Sequence, residues 1–125
     1  MEFKIDTKPT YAVITPVSNE LNAKMTEALR QKWRELQQSG SGNLIVDLHN
    51  FISVDESTLS TLEDLHEEIY GEQQSLVFTG LQEEVLEVFK ATEAYERLNI
   101  APTLIEAIDI VSMEILERDL FNEES

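Results

Sequence analysis

Apolar and polar positions alternate over Phe3-Lys4-Ile5-Asp6. After a break at Lys8-Pro9-Thr10 comes an extended run, Tyr11-Ala12-Val13-Ile14-Thr15-Pro16. Two such runs around a turn predict paired strands bounded by Pro9 and Pro16. From about Leu21 the period changes. Leu21, Met25, Ala28, Leu29 and Leu36 fall at helical spacing, with Trp33 at the flank of that face. Ser39-Gly40-Ser41-Gly42 ends this first helix, glycine being the residue that suits the position past a helix end.

The next pattern is continuous. Asn43-Leu44-Ile45-Val46-Asp47-Leu48 reads as a central strand buried on both faces. His49 to Val54 then connects, carrying Phe51, Ile52 and Val54 toward the core. A second helix starts near Glu56 or Ser57, turns Leu59, Leu62, Leu65 and Ile69 to one side, and closes at Gly71. Ser75-Leu76-Val77-Phe78-Thr79 is another buried strand, stopped by Gly80. Glu83 to Lys90 predicts a short helix with Val85, Leu86 and Phe89 inward, and Leu98-Asn99-Ile100 a brief extended piece before Pro102. Thr103 followed three residues later by Glu106 marks a capped start for the last helix, whose stripe is Leu104, Ala107, Ile108, Val111 and Ile115. Strands and helices alternate after the opening hairpin, which implies an α/β domain with parallel crossovers in a mixed sheet. Residues 1–118 are expected to form one domain and 119–125 an acidic, frayed tail.

Length changes this picture little, since 125 residues suit a single domain with a real core. Charge changes it more. With 9 basic and 25 acidic residues the net charge is −16, which would repel a nucleic-acid backbone or an anionic membrane face. The chain has no cysteine, so disulfides and thiolate metal sites are excluded. The start carries none of the basic and apolar blocks of a signal peptide, and no apolar run approaches the length of a membrane span. A cytoplasmic location is therefore expected, without membrane insertion.

Candidate chemistry is sparse. His66 lies among glutamates on the second helix and reads as a solvated surface residue. His49 follows a strand end without the hydroxyl and carboxylate of a triad. The four glycines sit at turns and form no phosphate cradle. Pairs such as Glu67-Glu68 and Glu83-Glu84 arise without purpose in so acidic a chain. A phosphoacceptor receiver domain fails too. Asp47 ends a buried strand, but one lone Asp6 follows the first strand and no lysine follows Thr79. No enzyme activity, cofactor or metal is expected.

The stretch Leu44-Ile45-Val46-Asp47-Leu48, then Ile52-Ser53-Val54-Asp55-Glu56-Ser57-Thr58-Leu59, resembles the signature of the STAS (anti-sigma-factor-antagonist) family: an apolar strand, Asp-Leu, a few residues, then Asp-Ser-[Ser/Thr]-Gly-Leu opening a helix. Ser75 to Leu81, Val85 to Phe89 and Thr103 to Ile108 resemble its later pieces. The resemblance implies a four- or five-stranded mixed sheet with about four helices packed mainly on one side. It implies a bacterial regulator of transcription that works by binding a partner protein, an anti-sigma factor that is also a serine kinase. In that branch the serine after the signature Asp takes a phosphate, which breaks the contact. Here Asp55 matches the Asp, Glu56 occupies the acceptor position, Ser57 is the candidate displaced phosphoacceptor, and Thr58 replaces the glycine. These four residues are the expected partner-binding region, with Asp55 as helix cap or polar contact and Glu56 as a permanent charge in the first turn. Glu56 thus locks a phosphorylated-like state, or yields the acceptor role to Ser57, or is a neutral surface residue. The competing function is an accessory STAS subunit of a transporter or signalling complex. An exposed edge strand would also support a homodimer.

Overall fold

The computed structural model describes residues 2–40 and 42–124. Its strands are β1 (Phe3–Thr7), β2 (Ala12–Pro16), β3 (Glu20–Leu21), β4 (Leu44–Asp47), β5 (Ser53–Val54), β6 (Leu76–Thr79) and β7 (Ile100–Ala101). Its helices are α1 (Ala23–Gln38), α2 (Thr58–Gly71), α3 (Glu83–Lys90), α4 (Ala94–Arg97) and α5 (Leu104–Glu124). Five strands form one sheet in the order β1-β2-β4-β6-β7. β1 runs antiparallel to β2 as the hairpin pattern requires, and every later neighbour is parallel.

The two faces of this sheet are covered differently. Ala12, Ile14, Leu44, Val46, Leu76 and Phe78 point to the face packed by α1 to α4. Ile45, Val77 and Ala101 point the other way, against Ala107 and Val111 of α5. Alternation along β4 and β6 thus feeds two cores, which is why both strands read as unbroken apolar runs. The mixed sheet with helices mainly on one side agrees with the sequence reading. α5 crosses the opposite face by itself.

Several local expectations need correction. Leu21 belongs to β3, not to the first helix. That helix begins at Ala23 with Asn22 as its cap, the Asn22 Oδ1 accepting from Met25 N at 3.1 Å. Trp33 does not flank the apolar face but is fully buried, and its Nε1 donates to the Gly42 carbonyl (3.0 Å) and to Gln74 Oε1 (3.1 Å). Gly40, at φ +92°, supplies the expected left-handed stop; Ser41 lies outside the described residues. The connection 49–54 contains β5, which pairs in parallel with β3 as a second, two-stranded sheet. Phe51 enters the core as expected, whereas Ile52, expected inward, points out to solvent. The extended piece near Leu98 is displaced to Ile100–Ala101, behind the short helix α4. Thr103 caps α5 through Glu106 N (3.2 Å), but Leu104 is exposed rather than part of the inner stripe. α5 continues to Glu124, so residues beyond 118 extend the helix where a tail was expected.

Candidate functional site

The start of α2 stands at the carboxyl edge of the parallel strands, where β4 passes through residues 48–52 into β5. Its approach is pinned by backbone bonds. Ile52 N donates to the Asn19 carbonyl at 2.9 Å, and Asp55 N to the Leu21 carbonyl at 2.9 Å. Asp55, Glu56 and Ser57 then form a tight turn, with Thr58 N donating to the Asp55 carbonyl (2.8 Å) and Leu59 N to that of Glu56 (3.1 Å).

Each predicted residue takes a different role in this turn. Asp55 is exposed, and its Oδ1 accepts from Ser57 N (3.2 Å) and Ser57 Oγ (2.9 Å). It therefore braces the turn ahead of the helix; the cap position proper is held by Ser57, whose side chain makes no cap bond. Glu56 is exposed, and its carboxylate makes no hydrogen bond or ion pair among the described residues. It sits in the turn, one residue ahead of the cap rather than inside the first helical turn, still within reach of the helix's positive end. Ser57 is exposed, with its hydroxyl committed to Asp55.

Thr58 departs from expectation. It is fully buried, and its Oγ1 donates to the Leu21 carbonyl at 3.3 Å. It cannot face a partner, so Asp55, Glu56 and Ser57 form the exposed surface while Thr58 ties the helix to β3. Its β-branch raises no strain, because Gln73 is the only non-glycine residue with positive φ among the described residues. A polar contact one turn on adds to this tie: Thr61 Oγ1 lies 2.9 Å from the Thr26 hydroxyl of α1. Farther along, Glu68 receives both Arg30 Nε (2.9 Å) and Arg34, so α1 and α2 are clasped along their length.

Residues 55–57 form an exposed turn. Three hollows lie elsewhere: by Phe3, Ile5 and Lys32, by Leu81, Tyr95 and Pro102, and by Lys4, Val13 and Leu104. Small molecules favour concave apolar sites, so an exposed turn bearing two carboxylates suits a macromolecule better. No group of three or more histidine, aspartate or glutamate side chains able to hold a metal occurs among the described residues. No helix among them is long and apolar enough to cross a membrane.

The two histidines land apart from the turn. His49 is exposed, with Nδ1 2.9 Å from Asp47 Oδ1, and no serine or threonine hydroxyl among the described residues bonds to it. His66 is not the solvated residue expected. Its ring packs on Tyr70 with centroids 4.3 Å apart, and its buried Nδ1 has no partner. Burial lowers its pKa against the pull of Glu114, Glu67 and Glu63. Tyr70 donates to Glu114 Oε1 at 2.7 Å, and burial together with that carboxylate pushes its phenol well above the usual range. The helical spacing of 66 and 70 was the one sequence signal for this contact.

Comparison with known proteins agrees with this architecture. The STAS domain profile matches residues 3–107, and the chain belongs to the STAS domain family. No curated protein matches it. Among solved structures, a putative anti-sigma factor antagonist of Thermotoga maritima (TM1081) superposes with a TM-score of 0.70 at 19% identity, covering 88% of this chain and 94% of its own. The anti-sigma factor antagonist SpoIIAA of Bacillus, in its unphosphorylated form, gives 0.66 at 20% identity, covering 89% and 96%. The murine anion transporter Slc26a9 gives 0.67 at 17%, covering 86% of this chain but only 18% of its own. At these identities the likeness is one of fold.

Proposed function

We propose that this chain is a non-catalytic regulatory module that binds a partner protein through the start of α2, in the manner of an anti-sigma-factor antagonist. Glu56 carries the reading. It is an unpartnered, exposed carboxylate on a pinned turn, at the position where the family pattern places a phosphorylatable serine. A phosphoserine brings nearly two negative charges to such a surface, and Glu56 supplies one permanently. Ser57 is the poorer acceptor. Its hydroxyl is bonded to Asp55, and a phosphate there would stand against Asp55 and Glu56 together. The partner implied is an anti-sigma factor of the serine-kinase kind, and the module's switch is held in one state.

The test is a pull-down from host extract with wild type, Asp55→Ala, Glu56→Ala and Glu56→Ser, with intact mass recorded for each bait. Glu56→Ser is expected to change which partner is retained and to gain about 80 Da, one phosphate, while wild type gains nothing. Identical capture by all four baits, with no gain in mass, refutes the α2 start as the recognition surface.

A further inference from the structure

Helix α5 has two apolar faces. The inner one, Ala107, Ile108, Val111 and Ile115, packs on the sheet. The outer one consists of Ile105, Met113, Leu116 and Leu120, which remain 73%, 61%, 58% and 52% exposed. At about 100° per residue these four fall within roughly 80° of arc, with Asp109 among them. A helix apolar on two sides has two surfaces to cover, and the sheet covers one. Moreover, the STAS profile ends at residue 107, so all of this stripe except Ile105 lies beyond the part the family defines.

Charge selects the occupant. α5 carries Glu106, Asp109, Glu114, Glu117, Asp119, Glu123 and Glu124 against one cation, Arg118. That cation is turned into the domain, where its Nη2 donates to Asn43 Oδ1 (3.2 Å) and Ser75 Oγ (3.1 Å). The stripe is therefore edged by acids with no outward base. A second copy would bring the same acidic edge and another −16 against it, and an anionic lipid surface would be repelled in the same way. From Ile105 to Leu120 the stripe runs about 23 Å, the length of a four-turn helix.

We infer that the outer face of α5 is a second docking surface, and that it receives a basic amphipathic helix of a partner protein. Leucine-like anchors at helical spacing would cover Ile105, Met113, Leu116 and Leu120, and flanking lysines or arginines would meet the acids around them. This surface lies across the sheet from the α2 start, and the inference does not depend on the function proposed there.

The probe is a labelled peptide of about 18 residues with leucine on one helical face and lysine on the other, titrated by fluorescence anisotropy. Its leucine/glutamate counterpart serves as control. Binding of the lysine peptide is expected to weaken at least about tenfold in Leu116→Ser/Leu120→Ser, through lost apolar contact. Met113→Lys, which places a cation in the stripe, should give the same loss. The altered residues are exposed, so the melting temperature should hold, and Glu56→Ala should leave affinity unchanged. Undiminished binding by the stripe variants, or equal binding of the glutamate peptide, overturns the inference. So does a wild-type dimer in sedimentation equilibrium that Leu116→Ser/Leu120→Ser disperses, which makes a second copy the occupant. Wild-type binding to neutral phosphatidylcholine vesicles, lost in the same variant, overturns it in favour of lipid.

Discussion

Restoring the family's glycine at position 58 should damage this protein. Thr58 is buried at the first residue of α2, and its hydroxyl bonds to the Leu21 carbonyl at 3.3 Å. In Thr58→Gly that bond goes, at about 0.5–1 kcal/mol, because the same carbonyl still accepts from Asp55 N. Two carbon atoms leave a packed site, at about 1.5 kcal/mol. Glycine in a helix adds about 0.5 kcal/mol over threonine. The total is about 3 kcal/mol, or about 10 °C in melting temperature for a chain of this length. Thr58→Val, which keeps the branch and loses the hydroxyl, should cost about 1 kcal/mol. Urea and thermal unfolding followed by far-ultraviolet circular dichroism measure both. A neutral or stabilising Thr58→Gly would refute the reasoning, because the position would then need glycine's freedom and Thr58 would anchor nothing.

Two further outcomes follow from buried or crowded groups. Burial holds His66 below its usual pKa, so the folded state binds fewer protons than the unfolded state. That contribution to stability is present above about pH 6.5 and fades as the pH falls through it. The urea midpoint of wild type should therefore drop more steeply between about pH 7.5 and 5.5 than that of His66→Phe, and parallel curves would contradict this. Gly80 sits at φ +76°, and a Cβ there would lie 2.3 Å from Asp47 Oδ1. Gly80→Ala should cost about 2–4 kcal/mol, part of it relieved by Asp47→Ala in the same chain; strictly additive losses in a double-mutant cycle would show that the two do not meet.

Much of the sheet was legible because its evidence is local. Leu44 to Val46 and Leu76 to Phe78 are apolar without interruption, as strands buried on two faces must be. α2 announced itself through its period and closing glycine and α3 through its inward apolar spacing, and α2 begins next to the helix start that the signature resemblance implied. The β3–β5 ladder was not legible. Two residues carry no periodicity, and the pairing joins segments more than thirty positions apart. The burial of Thr58 was hidden for the same reason, since its partner Leu21 belongs to that ladder. On α5 the difficulty was of another kind. Apolar residues recur on two faces, and sequence alone does not say which face meets the sheet. Leu104 was assigned inward and points out.

Trp33 gives this molecule an optical asymmetry. The single indole is held by Gly42 and Gln74, the residues that lead toward β4 and β6, and so lies at the amino edge of the parallel strands. Residues 55–57 occupy the carboxyl edge. Emission from the indole therefore reports on the integrity of the fold and is blind to chemistry confined to the turn. A partner of that turn that alters it has done more than dock. It has carried a rearrangement along the clasped pair of helices from one end of the domain to the other.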